Sequence, residues 1–239
     1  MMMNNNNTNL KILQWNARGL TKSRLQEFKH FLSYSVPSVV LLSETHWNDS
    51  FTPKFSSYNV INKNRHERSG GGIAILVHNS IKFSLLPLDN SHSIEMVAIS
   101  ISSATFFSLN FVSVYAPKGN STTEEILKLF SQTGHFVIGG DFNAHHSMWE
   151  SFTDSNRAGN SIWNALMELP DVALLTPPDL GTRIDPSTGK PSTIDLTFSS
   201  SAISLTAGIK LGPTLGSDHL PILMTIDESA TPTSGRPQR

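Results

Sequence analysis

Residues 136–143 read FVIGGDFN, a short apolar run that stops at two glycines and continues into polar side chains. Three consecutive apolar residues followed by glycine are typical of a buried strand that ends abruptly. Asp141 and Asn143 are two residues apart on the extended segment beyond it, so both side chains can face the same side. The stretch therefore predicts a buried strand that brings a carboxylate and an amide to one edge of a sheet.

Five other apolar segments along the chain also border polar residues. These residues are Asn16, Ser43 with Glu44, Tyr115, Asp195, and Asp218 with His219. In α/β folds, functional polar groups collect where strands end at one edge of a sheet. We therefore expect these side chains to converge, although each position by itself also fits an ordinary strand end.

Alternating strand and helix patterns predict an α/β chain with one folded domain, residues 10–228. Helices are expected at 21–34 (with Thr21 as N-cap), 121–132 and 159–169. Strands are expected at 11–16, 39–42, 72–77, 94–101, 105–115, 136–140, 193–198 and 221–226. The strands at 72–77, 94–101 and 105–115 are predicted to form an antiparallel meander. Composition predicts a disordered lead over residues 1–9 and a tail, or a linker toward a following domain, over residues 229–239.

The composition excludes several classes of protein. The 239 residues include no cysteine, which excludes disulfides, thiolate metal sites and a cysteine nucleophile, and suits a reducing compartment. A net charge of −1 argues against a uniformly basic nucleic-acid coat. Residues 1–82 carry ten basic and four acidic side chains, and residues 83–239 carry eight and fifteen, a split compatible with one positive surface and one anionic pocket. No membrane span or secretory leader is predicted.

Taken together, the motifs resemble those of a known superfamily. Gln14-Trp15-Asn16, Ser43-Glu44-Thr45, Tyr115-Ala116-Pro117, residues 139–143, Ser192-Thr193-Ile194-Asp195 and residues 217–221 (SDHLP) stand in the order found in the endonuclease/exonuclease/phosphatase superfamily. Residues 69–75 (SGGGIAI), 141–146 (DFNAHH) and 195–198 (DLTF) are most similar to the apurinic-type endonuclease domain of non-LTR retrotransposons. This resemblance implies a four-layer α/β sandwich of two packed mixed β-sheets flanked by helices.

The resemblance also implies a metal site. A hard divalent cation stabilises the extra negative charge that develops on phosphorus during phosphodiester hydrolysis, and Mg²⁺ prefers a few oxygen ligands. Glu44 is the expected ligand, with Asp218 and the Asp141 and Asn143 side as candidates for a shared or second position. Mg²⁺ is the expected cofactor, and Mn²⁺ is expected to substitute for it.

The remaining catalytic roles follow from the chemistry of each side chain. Asp141 would orient or deprotonate the attacking water, and Asn143 would hold a phosphate oxygen or a metal-bound water. Asp195 would fix the tautomer of His219 and favour its charged form, which can contact a phosphoryl oxygen. Asn16 and Tyr115 are neutral donors expected to face the same charge.

DNA contacts are expected mainly from residues 181–191, which read as a β-hairpin with a turn that opens at Asp-Pro and closes at Gly189. The expected DNA-binding residues are Arg18, Thr182, Arg183, Lys190, Ser192 and Ser217. A solvated turn with ordinary charges explains the hairpin residues equally well. Arg18 stands where DNA-repair relatives carry an acidic residue, which argues against an abasic-site repair enzyme and leaves the number of metals open.

Three other features of the sequence are expected to have structural roles. His145 and His146 lack a cysteine partner and helical spacing, so a zinc site is not expected there. Gly70–Gly72 lack the lysine and hydroxyl residue of a P-loop and precede a strand rather than a helix. Trp149 is expected in the core rather than at a DNA base.

The sequence thus predicts a Mg²⁺-dependent endonuclease that nicks one strand of a double-stranded DNA target. By resemblance, the 3′-hydroxyl would prime a reverse transcriptase domain of the same polyprotein, and the protein would act inside the cell, in the nucleus. The alternatives are an abasic-site repair endonuclease, and a DNA-docking module whose catalysis has decayed. A phosphatase is less consistent with the chain, because no added lipid-binding region is present.

Overall fold

The computed structural model describes residues 9–20, 22–66, 70–88, 91, 93–103, 105–131 and 134–228. Its strands are β1 (Asn9–Asn16), β2 (Val39–Ser43), β3 (Tyr58–Lys63), β4 (Ile73–His78), β5 (Phe83–Leu86), β6 (Glu95–Ile101), β7 (Leu109–Tyr115), β8 (His135–Asp141), β9 (Val172–Leu174), β10 (Arg183–Ile184), β11 (Pro191–Ser192), β12 (Asp195–Ser200), β13 (Ala207–Leu211) and β14 (Ile222–Asp227). Its helices are α1 (Lys22–Ser35), α2 (Thr123–Phe130), α3 (Arg157–Glu168) and α4 (Ser201–Ser204).

Two mixed six-stranded sheets form the centre of the molecule. The first has the order β13-β14-β1-β2-β4-β3, and the second has the order β5-β6-β7-β8-β12-β9. Within them, β1 pairs with β2 and β7 pairs with β8 in parallel. Since both parallel pairs run toward the same functional edge, the residues that end them lie near one another.

The apolar residues divide into three clusters that separate four layers. Phe28, Phe31 and the other buried positions of α1 pack on the outer face of the first sheet. Ile12, Leu41 and Ile75 of the first sheet meet Ile99 and Phe111 of the second. The outer face of the second sheet is covered by α2 and α3. The predicted four-layer α/β sandwich is therefore confirmed.

Helix α2 illustrates how local sequence sets an element. Thr122 is its N-cap, and its side chain accepts a hydrogen bond from the backbone N–H of Glu125. The Glu125 carboxylate accepts one from the Thr122 backbone in return, which completes a capping box. The acidic side chains expected at this helix N-terminus lie in its first turn.

The predicted meander is wrong in one strand. β6 and β7 do pair antiparallel, but the other neighbour of β6 is β5 and that of β7 is β8. β4 lies in the first sheet, between β2 and β3. Every residue of β4 except the last is buried. A strand buried on both faces has no polar alternation in its sequence, so nothing in it indicates which sheet it joins.

The other differences concern ends and short strands. The pattern did not predict β3, β5, β9 or β13, which have at most six residues each and lie at or near sheet edges. Asn9 belongs to β1 rather than to the lead. The rest of the predicted lead, the tail over residues 229–239, Thr21 and Ser69 lie outside the described residues. Among the described helices, none is long and apolar enough to cross a bilayer.

Candidate active site

The site lies where the two sheets meet, and Asn16 joins them. Its side-chain amide nitrogen is 2.9 Å from a Glu44 carboxylate oxygen and 2.8 Å from Asp141 Oδ2. Asn16 ends β1, Glu44 directly follows β2, and Asp141 ends β8 of the other sheet. One amide group therefore holds two carboxylates side by side across the interface between the sheets.

Glu44 is held in an unusual backbone conformation. Its φ is +49°, and those of the nearby Arg18, His46 and Asn143 are +42°, +55° and +46°. Non-glycine residues rarely occupy this region, and each such residue costs on the order of 1–3 kcal/mol. The fold over-determines these conformations through backbone bonds, such as the one from the N–H of Gly19 to the Glu44 carbonyl, at 2.7 Å.

Hydrogen bonds keep Glu44 ionised. Burial raises its pKa, but hydrogen bonds from His46, Asn16 and Tyr115 outweigh burial and bring the pKa down to about 2. His46 Nε2 lies 3.3 Å from Glu44 Oε2. Glu44 is thus a permanent anion at neutral pH, as a ligand for a hard cation must be.

Tyr115 is placed by the pairing of β7 with β8, which sets it opposite Asp141. Burial and the negative charges of Glu44 and Asp141 raise the pKa of Tyr115 far above its ordinary value. Its hydroxyl therefore stays protonated and donates a hydrogen bond to Glu44. Arg65, whose guanidinium carbon is 5.4 Å from the centroid of the ring, covers the Tyr115 face.

Asp141 and Asn143 bind each other, although the segment is not extended as their spacing predicted, since β8 ends at Asp141 and the φ of Asn143 is +46°. The backbone N–H of Asn143 donates to Asp141 Oδ1 at 2.9 Å, and its side-chain amide donates to Asp141 Oδ2 at 3.1 Å. Burial and the nearby charge of Asp195 raise the pKa of Asp141 despite these bonds. A carboxyl whose pKa is raised in this way can accept a proton near neutral pH.

Asp195 and His219 make the predicted Asp–His pair. Asp195 Oδ2 lies 2.8 Å from His219 Nδ1, and both side chains are buried. The register of β8 and β12 sets Asp195 opposite Asp141. Burial lowers the pKa of His219, but the charge of Asp195 outweighs burial and raises it to about 9. His219 is therefore an imidazolium at neutral pH, with its Nε2 edge free of the Asp195 bond.

Asp218 is bound by two arginines. Its Oδ2 accepts from Arg183 Nε at 3.0 Å and also pairs with Arg18. Arg18 is half exposed, while the Asp218 side chain is almost fully buried. The single negative charge of Asp218 therefore balances only one of the two guanidinium charges. The sequence predicted Asp218 as a candidate for a shared or second metal position, and in this structure its Oδ2 binds the two arginines.

The residues present fit a divalent cation. Asp141, Asp195 and His219 offer possible ligand atoms that all lie within 4.8 Å of one another. Asp195 Oδ1 and Asp218 Oδ1 are buried without a hydrogen-bond partner, and an unpartnered buried carboxylate oxygen is costly unless a cation or water satisfies it. Asn16 also links Glu44 to Asp141, so carboxylate oxygens, which hard divalent cations prefer, lie on both sides of Asp141.

Of the residues predicted to bind DNA, some lie on the hairpin and others make hydrogen bonds within the protein. β10 and β11 form the predicted hairpin, with Arg183 opposite Ser192 and an exposed Lys190. The prediction for Thr182 is wrong. Thr182 is fully buried, and its hydroxyl accepts from the backbone N–H groups of Ile194 and Asp195 at 3.2 and 3.0 Å. It therefore anchors the strand that carries Asp195 and cannot face a phosphate. Ser217 also has a structural bond, from its hydroxyl to the Asn16 carbonyl at 2.9 Å.

The two adjacent histidines, the nearby tryptophan and the glycine turn make structural contacts. His145 pairs with Glu150 at 2.7 Å, and His146 stacks against Trp149 and Trp163 with ring centroids 5.0 and 5.4 Å away. Trp149 is fully buried, which confirms its place in the core. Gly70–Gly72 all have positive φ and lead into β4, as expected for a turn that opens a strand.

Sequence reasoning missed three residues that contact the site. These are His46, Arg65 and Gln14. Only Gln14 had a readable signal, since it is a polar residue between the apolar Leu13 and Trp15 and lies on the same strand face as Asn16. Arg65 lies fifty residues from Tyr115 in a loop, and nothing in the local pattern connects the two.

Comparisons with known proteins agree with this geometry. A model of the endonuclease-reverse transcriptase family matches residues 109–223. The chain is 32% identical over 232 residues to a probable RNA-directed DNA polymerase from transposon X-element of Drosophila melanogaster, covering 92% of this chain and 24% of that protein. It is 29% identical over 244 residues to the RNA-directed DNA polymerase from mobile element jockey of the same species, covering 96% and 25%. The chain thus spans about a quarter of the length of these curated relatives.

Solved structures share the fold. The endonuclease domain of TRAS1, a telomere-specific non-LTR retrotransposon, superimposes with a TM-score of 0.73 at 21% identity, covering 91% of this chain and 98% of that one. An AP endonuclease from Archaeoglobus fulgidus superimposes with a TM-score of 0.67 at 16% identity, covering 91% and 99%.

Proposed function

We propose that the chain is a Mg²⁺-dependent DNA endonuclease that nicks one strand of a duplex. The match of residues 109–223 to the endonuclease-reverse transcriptase family and the fold shared with the TRAS1 endonuclease domain support this proposal. The observation that carries this proposal is the Asn16 amide, which joins Glu44 and Asp141 beside the Asp195–His219 pair. The anionic Glu44, the Asp141 carboxyl with its raised pKa and the His219 imidazolium therefore lie in one site. Phosphodiester hydrolysis requires groups of these three kinds.

Each group has a distinct task in the reaction. Asp141 accepts a proton from the attacking water, and Asn143 keeps the Asp141 carboxylate oriented through its two hydrogen bonds. His219, held as an imidazolium by Asp195, stabilises the negative charge on the phosphoryl oxygens. Tyr115 and Asn16 keep Glu44 fixed and ionised.

Glu44, with Asp141 and Asn143, would hold the divalent cation. The cation supplies Lewis-acid stabilisation of the charge that develops on the phosphate. Arg18 and Arg183, already paired with Asp218, would contact phosphates that flank the scissile bond. Two guanidinium groups that share a buried carboxylate are pre-oriented for this contact, because little of their freedom remains to be lost.

The biological role follows from the relatives. Their names describe RNA-directed DNA polymerases of mobile elements. We propose that a reverse transcriptase lies in the same full-length protein as this domain. The nick made by the endonuclease would expose a 3′-hydroxyl, and the reverse transcriptase would prime DNA synthesis from it. Such a reaction takes place on chromosomal DNA, so we also propose that the protein acts in the nucleus.

A plasmid-nicking assay tests the proposed activity. Asp141→Asn and His219→Ala are expected to lower the nicking rate by ~10²–10⁴-fold, the usual range for loss of a general acid–base group. Asp171→Asn is the matched control, since Asp171 is an exposed aspartate just before β9, at the far end of the second sheet. Near-native nicking by a folded Asp141→Asn variant would rule out the role given to Asp141.

A further inference from the structure

Gln14 is a buried polar residue that bonds across the interface between the two sheets. Its side-chain nitrogen lies 3.3 Å from the Gly140 carbonyl and 3.2 Å from the Leu196 carbonyl. Its side-chain oxygen accepts from the Thr197 hydroxyl at 2.8 Å. Both of its donor hydrogens and its acceptor are therefore engaged, all with β8 and β12 of the opposite sheet.

The positions of these partners relate Gln14 to the catalytic residues. Gly140 directly precedes Asp141, and Leu196 directly follows Asp195. On its own strand, Gln14 lies two residues before Asn16, on the same face. One side chain thus binds the backbone next to both aspartates and shares a strand with the amide that bridges Glu44 and Asp141.

Gly139 provides the space for this contact. A Cβ at Gly139 would lie 2.2 Å from the Gln14 side-chain oxygen and 3.0 Å from a Leu41 methyl carbon. The φ of Gly139 is not in the left-handed region, so the glycine is required by the close approach of the amide and not by backbone geometry. Gln14 can therefore reach β8 and β12 only because residue 139, the first glycine of the FVIGGDFN stretch, has no side chain.

We propose that Gln14 is a positioning residue that sets the separation of the two sheets at their catalytic edge. The proposal rests on the proposed nuclease function. Asn16 can bond both Glu44 and Asp141 only while β1 and β8 keep their present separation. The bonds of Gln14, two residues earlier on β1, fix that separation. Since buried polar groups are costly when unpaired, the three partners hold the amide in a single arrangement.

The test uses graded variants of this contact with a core control. Thr197→Ser keeps the hydroxyl, Thr197→Val removes it, and Gln14→Met removes all three bonds at similar length. Ile99→Val is the control, because it loses one buried methylene between the sheets and lies on β6, which pairs with β5 and β7 and not with the strands that carry Gln14 or its partners. Nicking is measured well below each melting temperature, together with hydrogen–deuterium exchange of the backbone amides of the unliganded proteins.

We expect Gln14→Met to lower kcat at least ~10-fold with KM within ~2-fold of the parent, since misplacement of catalytic groups by about 1 Å is sufficient for such losses. Thr197→Val should lower kcat ~3-fold, and Thr197→Ser and Ile99→Val less than ~2-fold. Exchange should rise at Phe142, whose N–H donates to the Ile194 carbonyl at 3.1 Å, and stay unchanged at Val137, near the far end of β8.

The two readouts separate the possible failures. An equal rise in exchange along the whole of β8, with kcat losses no larger than in Ile99→Val, would show that Gln14 contributes only to stability and would overturn the proposal. If Gln14→Met fails to fold, kcat and exchange of Thr197→Val are compared with those of Thr197→Ser. Equal kcat values, with exchange raised equally along β8, would then overturn the proposal. If the parent protein does not nick DNA, the proposed function fails, while exchange at Phe142 still tests the contact itself.

Discussion

At the residue scale, the environment of His219 determines its chemistry. An isolated imidazole is mostly neutral at pH 7.5, but Asp195 raises the pKa of His219 to about 9. The charged form is therefore favoured in the folded protein. Its contribution to folding stability is complete below the ordinary value of 6.5 and is lost as pH rises through about 9.

This gives a prediction for the alkaline limb of the pH–rate profile. The nicking rate should fall as pH rises through about 9, because His219 then loses the proton that stabilises phosphoryl charge. Asp195→Asn removes the anion, so its alkaline limb should move to lower pH. The measurement is kcat against pH for both proteins at fixed metal concentration and ionic strength. An alkaline limb that stays in place in Asp195→Asn would contradict the Asp195–His219 assignment.

At the element scale, the hairpin of β10 and β11 extends from the site into solvent. Its base is fixed, since the N–H of Ile184 donates to the Asp218 carbonyl at 2.8 Å and that of Leu220 donates to the Thr182 carbonyl at 2.7 Å. Its tip is an exposed turn in which Asp185 accepts from the backbone N–H groups of Ser187 and Thr188, both at 2.9 Å. The base therefore supports Asp218 and His219, and the tip is exposed to solvent.

Exchange of the tip should separate where the enzyme cuts from whether it cuts. Replacing residues 185–189 with another five-residue turn should leave metal-dependent nicking largely intact, because the tip contributes no buried backbone group. The preferred nick positions should change, since groove contacts and DNA shape set sequence preference. A map of nick sites on a mixed-sequence duplex, at matched salt, checks this. An identical map would locate the sequence preference elsewhere, for example in residues 145–149.

At the scale of the whole molecule, contacts within the protein hold the carboxylates of the site. Asn16, Tyr115 and His46 already hold Glu44, and Asn16 and Asn143 already hold Asp141. Three buried clusters support the sheets and helices independently of the site. A metal with so few protein ligands adds chemistry rather than folding energy.

Removal of metal should therefore abolish activity without unfolding the domain. We expect no nicking in the presence of a chelator, full recovery with Mg²⁺ or Mn²⁺, and a change in melting temperature of no more than about a few degrees, the size expected for weak ligand binding. Thermal unfolding by circular dichroism with and without Mg²⁺ provides the second measurement. Full nicking in chelator would rule out the metal-dependent mechanism, and collapse of the fold in chelator would show that the metal is structural.

The sequence by itself predicted the principal buried strands, three of the helices and the polar side chains at the strand ends. FVIGGDFN, the Asn16 segment and the Asp218-His219 segment each end or begin a strand, and local pattern is sufficient to show this because strand ends depend on nearby residues. The order of the six motifs then indicated the four-layer fold. Most of the residues named from these motifs converge in the structure, since their strands share one edge.

Only the tertiary structure decided how the two sheets meet. Four features depend on contacts between segments far apart in the chain. They are the place of β4, the burial of the Thr182 hydroxyl, the pairing of Asp218 with Arg18 and Arg183, and the bonds of Gln14 to β8 and β12. Such contacts depend on strand register and on the spacing between layers, which local hydrophobic pattern does not encode. A buried amide or hydroxyl reads the same in sequence whether it binds a ligand or a neighbouring strand, and only its partners in three dimensions distinguish the two.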